Sequence, residues 1–532
     1  MATSQRTPID TQPKLCDHIL SDIAKSNVSL RIGRSLIPNA GSGLFAVNDI
    51  PAGSEIFRSN PLIMVAESAH QGICEFCFLN SRSSVHSDGR FYTSNEENLR
   101  PQVTPCSACR VARYCSKNCQ VKAWKSYHKY ECTILQENPA LKSLDQALCR
   151  LLIWVKKGVI SEDNMRAVVA LETGFETKME RLRQASDDAP EIDQSLQAAQ
   201  NAHSAVEPGI SLNFVRQLYC TAICPSELEA SYGICLDLVN ISAGMEITVC
   251  YRGGRQDVLQ RRRILKEQFF FTCDCNKCKT EIAEHVTAAA KRQDHLGILR
   301  KAQDTLTELE FKYTLAFYSS ARFLKTAMDY QERLLDIEQK VYQDGNWPDH
   351  IEPMPSALRA LGCMYLELNY VVGLEFVLKG TLYSREHAGP RWVLDLMGLV
   401  KFLIFLSQER DESLNWTGCG HPEVLGGRLA LQNVARGYLI LVCLSGRFTF
   451  GFDTKYVRAL FNWAGNITER SGDHSIDTEA FEQLFKKSQD KLLTWAKMKT
   501  SRGLELPSRE TTTALREDIA EFNAKVQVKA EK

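Results

Sequence analysis

Cysteine is the residue type whose spacing in this chain points to chemistry. Three runs follow one another: "CEFC" (74–77), "CSACRVARYC" (106–115) and "SKNCQVKAWKSYHKYEC" (116–132). Read as C-x2-C, C-x2-C, C-x3-C and H-x3-C, they offer Cys74, Cys77, Cys106, Cys109, Cys115, Cys119, His128 and Cys132. Eight such donors make two complete zinc tetrahedra. A knuckle turn aims each close pair at one ion, and a remote pair closes the shell. With every position filled by protein, no water is left for the metal to activate, so such sites are structural and the module binds rather than reacts. A fourth run, "FFFTCDCNKC" (269–278), holds Cys273, Cys275 and Cys278, three donors where a structural zinc takes four. Other cysteines among the 19, such as Cys16, Cys149, Cys363 and Cys443, are scattered, and most of them read as small core residues.

The finger region is locally basic through Arg110, Arg113, Lys117, Lys122, Lys125 and Lys129. A solvated face is the plain reading, and a peptide or nucleic-acid contact is the functional one. The chain as a whole has 532 residues and zero formal charge, so no global field steers it to nucleic acid or to an acidic membrane. That length suggests about three or four domains. The opening "MATSQRTPIDTQPKLCDHIL" has no apolar run after a basic segment, so no secretory signal is expected. No stretch reaches about 18 uninterrupted apolar residues, and residues 392–408, with Asp395 and Lys401 inside, read as a buried helix. A soluble intracellular protein with reduced thiols is expected.

These clusters need elements to hold them. Residues 28–65 alternate short apolar runs with Gly, Pro and Asn, the pattern of short strands and tight turns. Residues 140–220 read as mainly helical, broken at 184–194. Strand-like runs return at 232–251 around a turn at "SAG". From about 285 to 500 apolar residues recur at three and four spacing, as in a helical lobe. "LGCMY" (361–365) with Pro390 fits part of a tetratricopeptide pattern, although Leu374 and Leu378 fill its small and aromatic positions. The tail past about 505 is charged and reads as frayed.

The eight-donor set, with Tyr114 before the fifth cysteine and Gln120 after the sixth, resembles the MYND-type zinc finger. The resemblance implies cross-bracing: Cys74, Cys77, Cys115 and Cys119 on one zinc, and Cys106, Cys109, His128 and Cys132 on the other. It also implies proline-containing peptides as partners. The segment between Cys77 and Cys106, which contains His86, is longer than is usual. Around the finger stand "GSGLFA" (41–46) and "IPAGSEI" (50–56), then "ISAGMEITVCY" (241–251) and the cysteine tail. In this order they resemble the split SET domain of the SET and MYND family of protein-lysine methyltransferases, over residues 28–280.

The fold class implied is α+β. A small-strand SET-type β fold, in parts 28–70 and 230–270, is split by the two-zinc finger at 74–132 and a helical insert at 140–220. A post-SET cysteine segment (271–280) and an all-helical, TPR-like lobe (285–505) follow. The activity implied is S-adenosylmethionine-dependent N-methylation of lysine in histone tails or other proteins. The amine must be uncharged and aimed at the methyl carbon, and a narrow apolar channel does both. By family position Tyr251 is the tyrosine that orients the amine, Gly41 and Gly43 let backbone approach the cofactor, and Phe269 to Phe271 wall the channel.

One family motif is missing. An N-H-S-C-x-P-N segment should hold the cofactor and supply the fourth ligand for Cys273, Cys275 and Cys278. Between Gly233 and Gly244 there is no room for that loop and two strands of about five residues each. Asn240 stands as its remnant. "NAHSAVEP" (201–208) is a look-alike without the cysteine, and Thr221 stands where the family has a cofactor-binding Asn. Cys220, Cys224, Cys235 or Cys250 could replace the lost ligand, Cys235 being nearest. Two readings follow: a methyltransferase with an altered pocket, or a catalytically silent scaffold that binds protein through the finger and the helical lobe.

Overall fold

In the computed structural model of the chain the described residues are 28–37, 42–51, 54–58, 63–66, 72–79, 81, 102–139, 141, 143–160, 200, 203, 234–236, 240–248, 258–268, 271–289, 297, 304, 323–341, 350–352, 354–366, 370–384, 389–408, 427–451, 454–470 and 478–530. Tyr251, Gly41, His86, Thr221, Phe269, Phe270, Cys220, Cys224 and Cys250 lie outside them, as does 201–208 apart from His203. The chain divides into two compact units, Met1–Tyr251 with Leu265–Phe271, and Arg252–Ile264 with Thr272–Lys532.

In the first unit the strands before the finger pair with strands after it. β1 (Leu30–Arg34) and β2 (Ser42–Ala46) form an antiparallel ribbon from Leu30↔Ala46 to Arg34↔Ser42. β2 continues against β7 (Glu246–Ile247) through Leu44↔Ile247 and Phe45↔Glu246. β3 (Glu55–Arg58) pairs with β6 (Ile234–Leu236), and Ile50 bridges Ile241. Ala46, Ile50, Ile56 and Ile241 bury a small core beneath Val28, Leu30 and Ile247. Burying side chains of this size stabilises by about 1.5–3 kcal/mol each, and here that gain spans two chain segments far apart in sequence. The "SAG" turn forms as expected. Met245 N–H donates to Ser242 O at 3.0 Å, Asp49 Oδ1 accepts from Ala243 N–H at 2.7 Å, and Gly244 sits at φ +82°, where a Cβ would be strained.

Between these strands, β4 (Thr104–Pro105) and β5 (Arg113–Tyr114) make a short hairpin. α1 (Lys117–Ala123) follows, then a π turn (Trp124–His128) and α2 (Lys129–Glu137). α3 (Ser143–Lys156) has its apolar stripe on the finger: Leu148, Cys149 and Leu152 share one core with Leu135, Ala112 and the finger cysteines. Burial pushes the Cys149 thiol up to about 12, so it behaves as the inert core residue its isolation suggests.

The second unit is helical among its described residues. α4 (Val258–Gln268) starts in this unit, its residues from Leu265 on belonging to the first, and α5 (Asn276–Ala289) starts inside the cysteine trio. α6 (Phe323–Val341), α7 (Met354–Leu366), α8 (Tyr370–Tyr383), α9 (Pro390–Gln408) and α10 (Gly427–Phe450) follow, with α7 packed on α8 and α9 on α10. Buried Arg359 fixes one pairing by donating to Gly380 O at 2.8 Å and to Ser384 Oγ at 2.9 Å. Residues 392–408 are a buried helix, with Leu396, Leu399, Val400 and Leu403 in the core. Helix α10 is long and apolar enough to cross a membrane by length and composition, yet its Val434, Tyr438, Val442 and Cys443 are buried within the protein.

α11 (Lys455–Arg470), α12 (Thr478–Trp495) and α13 (Arg509–Ala530) complete the unit. The tail past 505 is therefore helix, not frayed chain. Leu504, Thr512 and Leu515 are buried, and Arg447 Nη1 pairs with Asp518 at 2.6 Å. Its many charges masked a stripe of only a few buried residues.

Candidate metal centres

Two sets of four donors are gathered in the first unit: Cys74, Cys77, Cys115 and Cys119, and Cys106, Cys109, His128 and Cys132, each set with all donor atoms within 4.8 Å of one another. Zinc–sulfur bonds of about 2.3 Å at tetrahedral angles put neighbouring sulfurs about 3.8 Å apart. The observed separations bracket that value: Cys77–Cys115 3.5 Å, Cys115–Cys119 3.6 Å and Cys106–Cys132 3.9 Å between Sγ atoms, and Cys109 Sγ to His128 Nε2 3.7 Å. Sulfur and imidazole donors at this spacing fit zinc. The ion would cross-link the knuckles and close the shell, a structural role.

Local chain geometry sets these donors. Each C-x2-C pair ends in a left-handed residue, Phe78 at φ 55° and Arg110 at φ 59°, whose N–H reaches back to Cys74 O at 2.9 Å or Cys106 O at 3.0 Å. Neither is a residue type that favours this region, so the metal knuckle imposes it. Ser116 caps α1 by accepting from Cys119 N–H at 3.2 Å, which seats Cys115 and Cys119 on one ion. His128 and Cys132 lie one α-helical turn apart and share a face. The His128 ring sits between Tyr114 and Trp124, centroids 5.7 and 5.9 Å away, both edge-on.

The electrostatics differ between the sets. All four donors of the second set are buried, whereas in the first Cys77 is exposed. Burial alone would raise the Cys106 thiol, but the His128 ring and the backbone N–H groups of Cys109 and Ala108 outweigh it and hold it at about 6. Behind His128, Glu131 Oε1 lies 3.5 Å from Nδ1 and is itself gripped by Arg150. Burial works against the Glu131 carboxylate, yet His128 and Arg150 hold it below the usual range, while burial raises Glu75. The basic residues picked out by sequence, apart from half-buried Arg113, are exposed, and Lys122 lies over the Phe76 ring at 5.9 Å.

In the second unit Cys273, Cys275 and Cys278 form a third group. No fourth donor joins it among the described side chains. Cys275 is exposed and Cys278 buried. An arginine approaches this group: Arg261 Nη2 is 3.5 Å from Cys278 Sγ and 2.8 Å from Glu281 Oε2. Burial raises Cys273 to about 12. Cys235 takes a place in β6 opposite Phe57.

On the cofactor side, Gly43 and Asn240 are described. A Cβ on Gly43 would fall 2.1 Å from Glu246 Oε1. Glycine here makes room for a carboxylate of the chain itself, which accepts from Ser35 Oγ at 2.6 Å and Leu36 N–H at 2.8 Å. Asn240 is exposed beside the Ile50–Ile241 bridge. Phe271 is buried.

Residues 94–132 match the MYND finger family model. The match begins after Cys74 and Cys77, which the structure nonetheless seats with Cys115 and Cys119. The chain is similar to the histone-lysine N-methyltransferase SMYD3 of Mus musculus, 25% identical over 316 residues, covering 53% of this chain and 68% of that protein. It is 27% identical to the histone-lysine N-methyltransferase ASHR1 of Arabidopsis thaliana over 283 residues, 46% of this chain and 55% of that protein. Similarity to the SET domain and MYND-type zinc finger protein 6 of Schizosaccharomyces pombe is 24% over 353 residues, 59% of this chain and 65% of that protein. Finger geometry, the matched finger segment and these relatives agree: the chain carries a segment that matches the MYND finger and is similar to SET and MYND protein-lysine methyltransferases.

Proposed function

We propose that this chain is an S-adenosylmethionine-dependent protein-lysine N-methyltransferase of the nucleus and cytoplasm, with histone tails or other proteins as substrates. The observation that carries the reading is strand pairing across the finger. β2 with β7 and β3 with β6 join the segments that the family resemblance assigns to the two parts of a SET domain. The methyltransferase relatives support it. Tyr251, which directly follows the "ISAGMEITVC" run in sequence, is assigned to orient the substrate amine, and Gly41 to admit the cofactor. When bound, S-adenosylmethionine supplies an activated methyl group. The finger holds two zinc ions, the cysteine trio a third, and the basic finger face takes proline-containing peptides, with nucleic acid the lesser alternative.

A second reading has its own observation. β6 ends at Leu236 and Ile241 already pairs with Ile50, so only Asp237 to Asn240 lie where the N-H-S-C-x-P-N motif would stand. That favours a catalytically silent scaffold. Calorimetric titration of S-adenosylmethionine into the zinc-loaded chain separates the two. Micromolar binding, followed by methyl transfer to histones that Tyr251→Phe abolishes, is expected of the enzyme. Absence of binding with both finger zincs present leaves the scaffold.

A further inference from the structure

Arg150 lies outside the finger, on α3, yet only 2% of it is exposed. Its guanidinium grips Glu131 with two parallel bonds, Nε to Oε2 at 2.8 Å and Nη2 to Oε1 at 2.7 Å. Oε1 of that carboxylate faces Nδ1 of His128 at 3.5 Å, the ring nitrogen opposite the donor Nε2. The remaining amino group, Nη1, donates to Met64 O in the segment before the first knuckle. The guanidinium also stacks 3.9 Å above the Tyr127 ring, whose hydroxyl donates to Glu75 O at 2.7 Å inside that knuckle. Nη2 stands 3.6 Å from Glu75 Oε2.

A metal-bound imidazole takes its orientation from whatever accepts its other N–H, and such partners govern metal affinity. Glu131 is that acceptor, but a carboxylate 2% exposed cannot stay charged without a partner. Arg150 is the partner. Its planar fork suits a carboxylate in two-point contact, as an ammonium does not. The chain of contact thus runs from the metal donor through Glu131 into α3, and from α3 back to Met64. We propose that Arg150 is the positioning residue of the Cys106, Cys109, His128 and Cys132 site, so that metal retention there and docking of α3 on the finger form one coupled equilibrium. Such coupling is reciprocal: whatever docking adds to metal affinity, metal adds to docking.

The test uses the full chain with zinc and with cobalt in its place. Arg150→Met should release one finger zinc to a chromogenic chelator 10–100-fold more readily, with the other held as in the parent. Cobalt absorption of the three-thiolate, one-imidazole site should shift while that of the four-thiolate site does not. Arg150→Lys should fall between. Stripping zinc from the parent should raise hydrogen exchange across 143–156, as Arg150→Met does with metal present. Both zincs held as in the parent, or both loosened equally, would overturn the proposal. Should Arg150→Met fail to fold, the isosteric Glu131→Gln decides: selective loss of the same zinc supports the proposal, and parental retention overturns it.

Discussion

The second finger set and the cysteine trio each have an arginine close by, and they use it in opposite ways. In the finger, Arg150 stands one residue behind the metal donor. It holds Glu131, which holds His128, and the four donors are buried. In the trio, Arg261 approaches Cys278 Sγ itself, at 3.5 Å, and Cys275 faces solvent. One arginine supports a closed shell. The other offers a positive charge to a shell with three described donors. A closed, supported site stores folding free energy, and an open one exchanges. Finger and trio should therefore differ first in how firmly they hold metal.

Metal removal should give the largest effect. Structural zinc contributes roughly 10–16 kcal/mol of binding free energy in small fingers, so Cys106→Ser should leave the finger core around Leu135 and Leu148 unformed. Near-UV dichroism and metal content by mass spectrometry check this. Cys273→Ser should lose at most one zinc and leave the finger signal intact. Graded chelation sharpens the contrast: the trio should empty at least about 10-fold faster than either finger set. Equal rates would mean that a fourth donor outside the described residues completes the trio.

How much of this could be read in the sequence depends on distance along the chain. The finger donors were legible because knuckles and helical turns place ligands at fixed spacing, and His128 with Cys132 is a one-turn pair. Glu131 carried a readable signal too, three residues after His128 and just inside α2, although it was not among the residues singled out by sequence. Arg150 carried none. Its role comes from tertiary packing of α3, and one arginine among 64 basic residues has no distinguishing spacing. Gly43 was legible as a position that must lack a side chain. What fills the space, Glu246 from 203 positions later, was not, because strand register across the finger decides it. The helix past 505 was missed for a related reason. Its buried stripe is Thr512 and Leu515, too thin to outweigh the surrounding charges.

Arg261 gives the next effect. Its ion pair with Glu281 is buried, 6% and 7% exposed, and Lys277 Nζ stands 3.8 Å from Glu281 Oε1. Arg261→Met should leave that carboxylate only the longer Lys277 contact and destabilise the second unit by up to about 3 kcal/mol, read from chemical denaturation. Arg261→Met with Glu281→Met should recover most of it, since replacing both partners of a buried pair with apolar groups is often nearly neutral. Failure of the double variant to recover would mean that the arginine serves Cys278 directly, bringing trio and finger closer in design than their geometries suggest. Gly43→Ala is smaller. Its methyl group would meet Glu246, and the rearrangement should cost about 1–3 kcal/mol in the first unit, with both finger zincs retained.

The smallest effect separates contact from support. Arg262 Nη2 reaches Asp274 Oδ1 at 3.1 Å, and Asp274 stands between Cys273 and Cys275. By sequence position it is closer to a donor than Glu131 is to His128. By environment it is different, since its side chain is 60% exposed and that of Arg262 30%. An exposed pair of this kind contributes about 0.2–1 kcal/mol and is screened by salt. Asp274→Asn should therefore change stability by no more than about 1 kcal/mol, and metal retention by the trio hardly at all, whereas Glu131→Gln should loosen one finger zinc. Both variants remove one carboxylate charge beside a metal donor and keep its shape, so a difference between them isolates burial and the bidentate arginine as what makes a neighbouring carboxylate matter to a metal. Equal loosening in the two would instead place the control in charge near the ion, and the support built by Arg150 would have no special standing.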